Sequence, residues 1–309
     1  MRYERALIVR RSTRLEELVA RFNTKGQARF YIESMGGDFA DYELEDAAYH
    51  RALEEVERIA RALLKTHVLD RGLLPNYVFA DDELVLAVGQ DGLVANTAKY
   101  ARARPIIGVN PEPSRYDGIL LPFDARTCEQ ALQQTIEGKA RVQTVSMAEA
   151  KLRDGQRLLA FNDLFIGVRT HVSARYRIRI GDRSERQSSS GILVSTGAGS
   201  TGWMSSVFNM AMGVGAFAGG SVPKQKPMAW SARRLLYVVR EPFVSRATGA
   251  GINAGAIGEG EQLIIESETP TNGVIFSDGI EADFLQFNSG AIAQVGLAAD
   301  SAQLVVKAT

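Results

Sequence analysis

The chain contains one cysteine, Cys128, and three histidines, His50, His67 and His171, among its 309 residues. A single thiol cannot form an internal disulfide, and these scattered side chains lack the spacing of zinc ligands. We therefore predict no metal site built from protein side chains. The low cysteine content fits a reducing compartment. Because an apolar strand pattern begins at Ala6, we expect the fold to start almost at once and the protein to be cytoplasmic.

An excess of charge and a long apolar run are also missing. Lys plus Arg and Asp plus Glu both number 36, so the formal net charge is zero and bulk charge predicts no nucleic-acid partner. The arginines are unevenly spread, which leaves room for a local basic patch. No stretch reaches the roughly 20 apolar residues of a membrane helix, so we predict no membrane partner. Hydrophobic residues make up 45% of the chain, enough for two domains with buried cores.

The first part of the chain alternates apolar strands with amphipathic helices, which predicts an α/β domain with a parallel sheet over residues 1–124. Residues 23–40 are polar and contain glycine, and we expect an irregular connection there. The predicted elements are strands over Ala6–Arg10, Leu84–Val88 and Pro105–Val109, and helices over Thr13–Phe22, Asp41–Lys65 and Val94–Tyr100.

Strand patterns dominate residues 125–309, after one predicted helix at Cys128–Glu137. Many of these runs alternate apolar and polar residues, as half-buried antiparallel strands do. We predict an all-β domain, a β-sandwich, for this part. Residues 204–230 are rich in glycine and proline and predict a loop insertion.

The first segment with the composition of a ligand site is Leu84–Leu93, where a buried strand ends in Gly89-Gln90-Asp91-Gly92. Glycines allow a phosphate or sugar to approach the backbone closely, and the start of the following helix favours an anion. Asp91 at the carboxyl end of a parallel strand has the position of a ligand-contacting group. A plain turn with a helix cap is the alternative.

The second segment is a loop of small and hydroxyl residues that follows the strand Ile192–Ser195. Loops of this kind surround phosphates with backbone amides and hydroxyls. It lacks the lysine of a P-loop and the serine elbow GxSxG. A flexible linker is the alternative. The candidate residues are Thr196, Gly197, Gly199, Ser200, Thr201 and, after the loop, Trp203.

The third segment places Asn162 and Asp163 within an apolar stretch. Burying such a pair is costly unless it is satisfied, so we expect it to hold ribose hydroxyls or an adenine edge. The alternative is a bulge or turn.

In this order the three segments resemble the NAD kinase family, which has a GGDGT motif, an Asn–Glu motif and a TGTGS-like loop. Further stretches resemble the mitochondrial-type branch, and the resemblance spans nearly the whole chain. These stretches are Val9–Arg14, Pro105–Asn110 with Pro113, Gln187–Gly191, Arg240–Pro242 and Val274–Gly290, which includes Asp278.

The resemblance implies the NAD kinase/diacylglycerol kinase-like fold and transfer of the ATP γ-phosphoryl group to the 2′-hydroxyl of the adenosine ribose of NAD. It implies that ATP with Mg²⁺ is the donor, that NAD is the substrate, and that the protein is a homodimer or larger homo-oligomer. Asp91 matches the catalytic carboxylate. The matched nucleotide-binding positions are Gly89, Gly92, Asn110, Asn162, Asp163, Thr196, Gly197, Gly199, Ser200, Thr201, Trp203 and Asp278.

The first and second motifs depart from the family pattern. Gln90 replaces its second glycine, Leu93 replaces its threonine, and Asp163 replaces the glutamate of the Asn–Glu pair. Two alternatives therefore stay open: the same fold acting on another acceptor, such as a nucleoside, sugar or lipid, and a non-catalytic NAD(P)-binding protein. The choice between NAD and NADH, and between ATP and polyphosphate, also stays open.

Overall fold

The computed structural model describes residues 3–307 and divides into two compact units. The first comprises Met1–Gln143 together with Gln303–Thr309, and the second comprises Thr144–Ala302. The domain boundary after residue 124 stays a prediction.

The first unit is an α/β unit with a parallel sheet, as predicted. Its strands are β1 (Arg5–Arg10), β2 (Lys65–Asp70), β3 (Glu83–Val88) and β4 (Pro105–Val109), and its helices are α1 (Arg14–Phe22), α2 (Lys25–Ser34), α3 (Phe39–Leu63), α4 (Asp91–Ala101) and α5 (Cys128–Ile136). The strands lie in the order β2-β1-β3-β4 and are parallel. Gln303 and Leu304 pair in parallel with β4 at the edge of this sheet.

Burial explains the central position of β3 in this unit. All six of its residues are buried, as expected of a parallel strand covered on both faces. On one face, α3 packs Tyr49, Val56 and Ile59 into the core. The hydroxyl of Tyr49 donates to the backbone oxygen of Val88 at 2.9 Å, which ties α3 to the carboxyl end of β3.

The irregular connection predicted over residues 23–40 is wrong, because α2 occupies Lys25–Ser34. Thr24 caps this helix by accepting from the amide of Gln27, and Ala28 is buried beside Leu15 and Phe39. The helix buries little else, so it lacks the wide apolar stripe by which sequence patterns identify helices. The helix predicted over Asp41–Lys65 begins earlier and ends at Leu63, and Lys65 already starts β2.

The second unit is rich in antiparallel strands, as predicted. Its strands are β5 (Arg141–Leu152), which starts in the first unit, β6 (Arg157–Ala160), β7 (Asp163–Val168), β8 (Ala174–Ile180), β9 (Arg183–Ser189), β10 (Ile192–Ser195), β11 (Arg234–Val239), β12 (Ala254–Gly258), β13 (Leu263–Ser267), β14 (Gly273–Ser277), β15 (Ile280–Gln286) and β16 (Ile292–Val306). One sheet has the order β12-β11-β10-β7-β14-β15. In the other, β16, β13, β8 and β9 pair in that order, and β5 pairs with β16 and β6.

One hydrophobic core joins the two sheets of the second unit. Leu164 and Ile166 of β7 and Tyr176 and Ile178 of β8 all belong to it. Because side chains alternate along a strand, the residues between them point away from this core. Phe165 of β7 and Arg177 of β8 therefore lie on opposite outer faces of the sandwich.

The loop insertion predicted over 204–230 is wrong in its first half, where helix α6 spans Trp203–Phe217. Gly213 and Gly215 suggested a loop, but a glycine costs a helix interior only about 1 kcal/mol relative to alanine. Residues 218–230 lack helix and strand, as predicted. Within residues 3–307, none of the helices is long and apolar enough to cross a membrane.

Candidate functional site

Asp91 begins α4 directly after the turn that follows β3. The amide of Gly89 donates to the backbone oxygen of Val109 at 3.1 Å, so the turn lies beside the end of β4. A Cβ placed on Gly89 would come within 2.9 Å of Leu93 Cδ2 and 3.6 Å of the Arg11 side chain, which explains why glycine occupies this position. Leu93 is buried, so the residue that replaces the family threonine packs in the core.

The carboxylate of Asp91 holds a neighbouring loop. It accepts the amide of Leu120 at 2.8 Å and that of Ile119 at 3.2 Å. Asp91 itself is only partly buried. Because a carboxylate offers about four lone-pair positions, two remain for a hydroxyl proton or a cation. The residue is therefore both positioned and available for chemistry.

The start of α4 is open. Gln90 is its N-cap and makes no side-chain hydrogen bond to the helix, and Gly92 is exposed with no atom within 4 Å of a Cβ built on it. The unsatisfied amides and the positive end of the helix dipole suit a phosphate group. Gln90, which stands where the GGDGT motif has its second glycine, lies at this open end of α4.

Asn110 organises the same loop. Its side-chain amide donates to the backbone oxygen of Tyr116 at 2.8 Å, and its Oδ1 accepts the amide of Glu112 at 3.0 Å. Asn110 is buried, and these bonds use both ends of the side chain. The structure therefore gives Asn110 a positioning role, and its contact with a nucleotide stays a prediction.

In the second unit, the two other predicted segments lie together. Ser195 at the end of β10 pairs with Asp163 at the start of β7. The hydroxyl of Thr196 donates to the backbone oxygen of Phe161 at 2.6 Å. The backbone amide of Thr196 donates to the backbone oxygen of Asn162 at 2.9 Å. Segments separated by more than thirty residues in the sequence thus form one turn-and-loop structure.

Two glycines make this loop possible. A Cβ on Gly199 would collide with the backbone oxygen of Asn162, and one on Gly197 would collide with that of Ala229. Ser200 fixes the far end of the loop, since its hydroxyl donates to Gly197 and accepts the amide of Met228. The small residues that predicted phosphate binding are therefore also required for backbone packing.

Asp278 holds the turn before β7. Its carboxylate accepts the amides of Phe161, Asn162 and Asp163 at 3.0, 2.6 and 3.2 Å. Its own backbone is left-handed, with φ of 54°, a conformation that aspartate tolerates better than most residues. The structure brings Asp278 together with the Asn162–Asp163 pair in a positioning role, and its contact with a nucleotide stays a prediction.

Asp163 is the least satisfied polar group in this cluster. It is 8% exposed, and among residues 3–307 its Oδ1 has no hydrogen-bond partner. Burial, and secondarily the negative charge of Asp278, raises the pKa of Asp163 to about 7, against an opposing hydrogen bond to Ser195. A carboxyl group whose pKa lies near 7 is partly protonated at neutral pH. It can therefore donate or accept a hydrogen bond, as recognition of a base edge or a ribose requires.

Trp203 begins α6 and lies on the outer face of the β7 sheet. Its ring is nearly parallel to that of Phe165, with centroids 5.7 Å apart, and the centroid of the Phe276 ring lies 4.9 Å from that of Phe165. Arg240 lies 5.4 Å from the Trp203 ring. Thr201 just before it is exposed. Trp203 is therefore part of an aromatic surface and is not buried in the core.

These aromatic rings line a cavity of about 370 Å³, the size of a small-molecule pocket. The sequence prediction missed Phe165, Phe276, Arg169 and His171 as site residues. The alternation of inward and outward side chains along β7 and β14 could have identified the two phenylalanines, since it places Phe165 and Phe276 on the outer face of the sheet. The cavity is also lined by Val168, Thr170, Val172, Ser190, Arg240, Glu241, Val274 and Glu281.

A protein-bound metal has little support from side chains. Among the described residues, no group of three or more His, Cys, Asp and Glu side chains could hold an ion. Mg²⁺ in phosphoryl-transfer sites commonly uses one or two carboxylates together with substrate phosphates and water. The remaining lone pairs of Asp91 fit that mode.

Comparison of the sequence with known proteins identifies relatives at low identity. No protein-family profile matches the chain. It is 28% identical over 224 residues to a rice protein (Oryza sativa subsp. japonica) named "Probable NADH kinase", over 64% of this chain and 63% of that protein. It is 27% identical over 121 residues to the NAD kinase of Chlorobaculum tepidum, over 38% of this chain and 42% of that protein. The chain thus spans less than two thirds of the length of these curated relatives.

Solved structures show the fold. An NAD kinase from Archaeoglobus fulgidus in complex with ATP superposes with a TM-score of 0.56 at 17% identity, over 97% of this chain and 93% of that one. Yeast NADH kinase complexed with NADH gives a TM-score of 0.59 at 14% identity, over 100% of this chain and 85% of that one. The chain has the two-part architecture of these kinases, an α/β unit and an antiparallel β unit. The chain therefore shares the fold of these kinases and is similar in sequence to proteins named NADH kinase and NAD kinase.

Proposed function

We propose that the protein is an ATP-dependent NAD kinase, which transfers the γ-phosphoryl group of ATP to the 2′-hydroxyl of the adenosine ribose of NAD or NADH. The observation that carries this proposal is Asp91, positioned by two loop amides at the open start of α4. The names of the sequence relatives and the ligands in the related structures support the substrate class.

In the proposed reaction, the ribose hydroxyl oxygen forms a bond to the γ-phosphorus, the bond from that phosphorus to the bridging oxygen breaks, and ADP leaves. The hydroxyl proton passes to the carboxylate of Asp91. Phosphoryl transfer depends mainly on positioning and charge neutralisation, so the amides at the start of α4 would orient phosphate oxygens. Mg²⁺ would enter with the ATP phosphates and neutralise their charge.

We further propose that the second unit binds the dinucleotide. The planar surface of Phe165 and Trp203 suits a base, and Arg240 beside it suits a negatively charged group. Asp163 and Asn162 would bind base or ribose hydroxyls, with Thr201 at the exposed end of the loop. Thr196, Gly197, Gly199, Ser200 and Asp278 would hold the backbone that positions these contacts.

A cytoplasmic homodimer or larger homo-oligomer completes the proposal. Its structural support is the exposed apolar row of α6, formed by Met210, Val214 and Phe217, which are 49, 62 and 94% exposed. Exposed apolar rows of this kind are typical of protein interfaces. Light scattering of the purified protein measures the oligomeric state.

The decisive experiment measures NADP and NADPH formation from ATP, Mg²⁺ and either NAD or NADH. Asp91→Asn is expected to lower kcat by about 10² to 10⁴, the usual contribution of a general base. Asp117→Asn is the matched control, because Asp117 is an exposed carboxylate on the neighbouring loop. Thermal unfolding of both variants separates lost chemistry from a loosened loop. Equal activity of wild type and a folded Asp91→Asn protein would contradict the proposal, and dinucleotide binding without turnover would favour a non-catalytic binding protein.

A further inference from the structure

Strand β8 presents a row of arginines to solvent. Its residues alternate between buried and exposed, with Ala174, Tyr176 and Ile178 in the core. The exposed positions are Arg175, Arg177 and Arg179. Alternate residues on a strand lie about 6.8 Å apart, so this row concentrates three positive charges on one outer face.

A cavity of about 290 Å³ lies on this face. Arg177 and Arg179 line it together with Arg153 from the turn after β5. We call it the arginine cavity. Its other lining residues are Ser184, Ile264, Ile292 and Glu266, the single carboxylate of the lining.

The guanidinium groups of the arginine cavity have no partners among the side chains that the structure describes. Within residues 3–307, Arg153, Arg177 and Arg179 form no ion pair or side-chain hydrogen bond. Other exposed arginines of the same unit do pair, as Arg186 does with Glu268 at 2.5 Å. Glu266 offsets only one of these three positive charges, so the lining keeps an excess of positive charge that a bound anion would neutralise.

We propose that the arginine cavity binds a small ligand that carries at least two phosphate groups. A guanidinium offers a planar fork of donors that matches phosphate oxygens, and two forks on one strand suit two phosphates. Ile264 and Ile292 provide apolar contact for the ligand and for the arginine stems. None of the lining residues is aromatic, which disfavours a single-stranded nucleic acid, since its bases need stacking partners.

The arginine cavity is separate from the aromatic cavity of the same unit. β8 and β7 contribute to one core, and their outward side chains lie on opposite faces of the sandwich. The proposed ligand therefore does not compete for Trp203 or Asp163. A regulatory anion site independent of catalysis is the role that this placement supports.

Inorganic pyrophosphate and triphosphate serve as probes in calorimetric titrations of the purified protein, with orthophosphate as the single-phosphate comparison. The test variant is Arg177→Gln/Arg179→Gln, which keeps much of both side-chain stems. The control is Arg71→Gln/Arg126→Gln, which removes the same charge from exposed positions in the first unit. We expect triphosphate to bind more tightly than orthophosphate, and affinity at this site to fall at least about tenfold in the test variant alone, as loss of charge-assisted hydrogen bonds predicts.

These probes also suit the proposed ATP site, so a second measurement is needed to show where on the protein they bind. Hydrogen exchange of the β8 and β13 amides should slow on addition of triphosphate in wild type and in Asp91→Asn, but not in the arginine test variant. Glu266→Gln should tighten binding about twofold or more, since it removes the carboxylate from the cavity. NADP formation should persist in the test variant.

Three results would overturn the proposal. The first is a slowing of β8 and β13 amide exchange by triphosphate that is the same in Arg177→Gln/Arg179→Gln as in wild type. Another is an equal loss of binding in the Arg71→Gln/Arg126→Gln control, which would indicate a general charge effect. The third is an absence of protection by either probe in wild type.

Discussion

The two units position their polar groups differently. In the first, Asp91 is held by two amides and stays partly open, beside a helix start without a side-chain cap. In the second, the loop after β10 and the turn before β7 are joined by buried hydrogen bonds, such as that from Thr196 to Phe161. The first arrangement suits a group that reacts, and the second suits a preformed surface that binds. Substitutions in the two regions should therefore fail in different ways.

The largest effect on folding should come from Gly197→Ala. The added Cβ would collide with the backbone oxygen of Ala229. Because the clash is with the main chain and not with the end of a flexible side chain, only a backbone shift could relieve it. We expect a loss of about 3 kcal/mol in unfolding free energy, at the upper end of overpacking effects, together with weaker dinucleotide binding. Chemical denaturation and calorimetry measure both.

Gly202→Ala is the matched control for that change. It lies in the same loop, is exposed, and has only one atom near the added Cβ, at an ordinary 3.5 Å. If Gly202→Ala were as destabilising as Gly197→Ala, close backbone packing would not be what glycine provides in this loop.

Leu93→Thr restores the threonine of the GGDGT motif in the first unit and should cost about 2 kcal/mol, because it removes buried apolar atoms and adds a hydroxyl. Gln90→Gly replaces the other departure, at the partly buried N-cap of α4, and should change stability by less than about 0.5 kcal/mol. Denaturant midpoints measure both variants. A fully stable Leu93→Thr protein would show that this position is less tightly packed than the structure indicates.

Residue patterns predicted the first region better than the second. The strand–turn–helix at Asp91 follows from local signals, namely a buried run, two glycines and a helix start. The contact between Asp278 and residues 161–163 spans more than 100 positions and depends on a left-handed aspartate, for which local patterns give no signal. Helices α2 and α6 were missed for a related reason: α2 buries mainly Ala28, α6 mainly Met204, and neither has a stripe of buried residues to detect.

Asp163→Asn tests the cost of the buried carboxyl in the second unit. Its pKa rises from an ordinary 3.8 to about 7, so the folded protein binds the proton more tightly than the unfolded chain. The stability contribution is therefore complete below about pH 4 and is lost as pH rises through 7. Asp163→Asn should flatten this dependence and stabilise the protein at pH 8 by on the order of 1–3 kcal/mol, while weakening dinucleotide binding.

Unfolding midpoints at pH 5 and pH 8 measure the effect, with the exposed Asp182→Asn as control. A pH dependence that persists in Asp163→Asn would assign it to another group. Greater stability combined with weaker binding would identify Asp163 as a residue whose burial favours ligand recognition at the expense of the fold.

The smallest folding effect should come from Phe217→Gln in α6. Phe217 is 94% exposed, so its replacement should change the unfolding free energy by less than about 0.5 kcal/mol. It should nevertheless lower self-association, because it removes the most exposed member of the apolar row. Phe243→Gln, at a 64% exposed phenylalanine outside α6, controls for a general change in surface hydrophobicity. Light scattering distinguishes the cases: equal behaviour of the two variants would show that α6 is not the contact between copies.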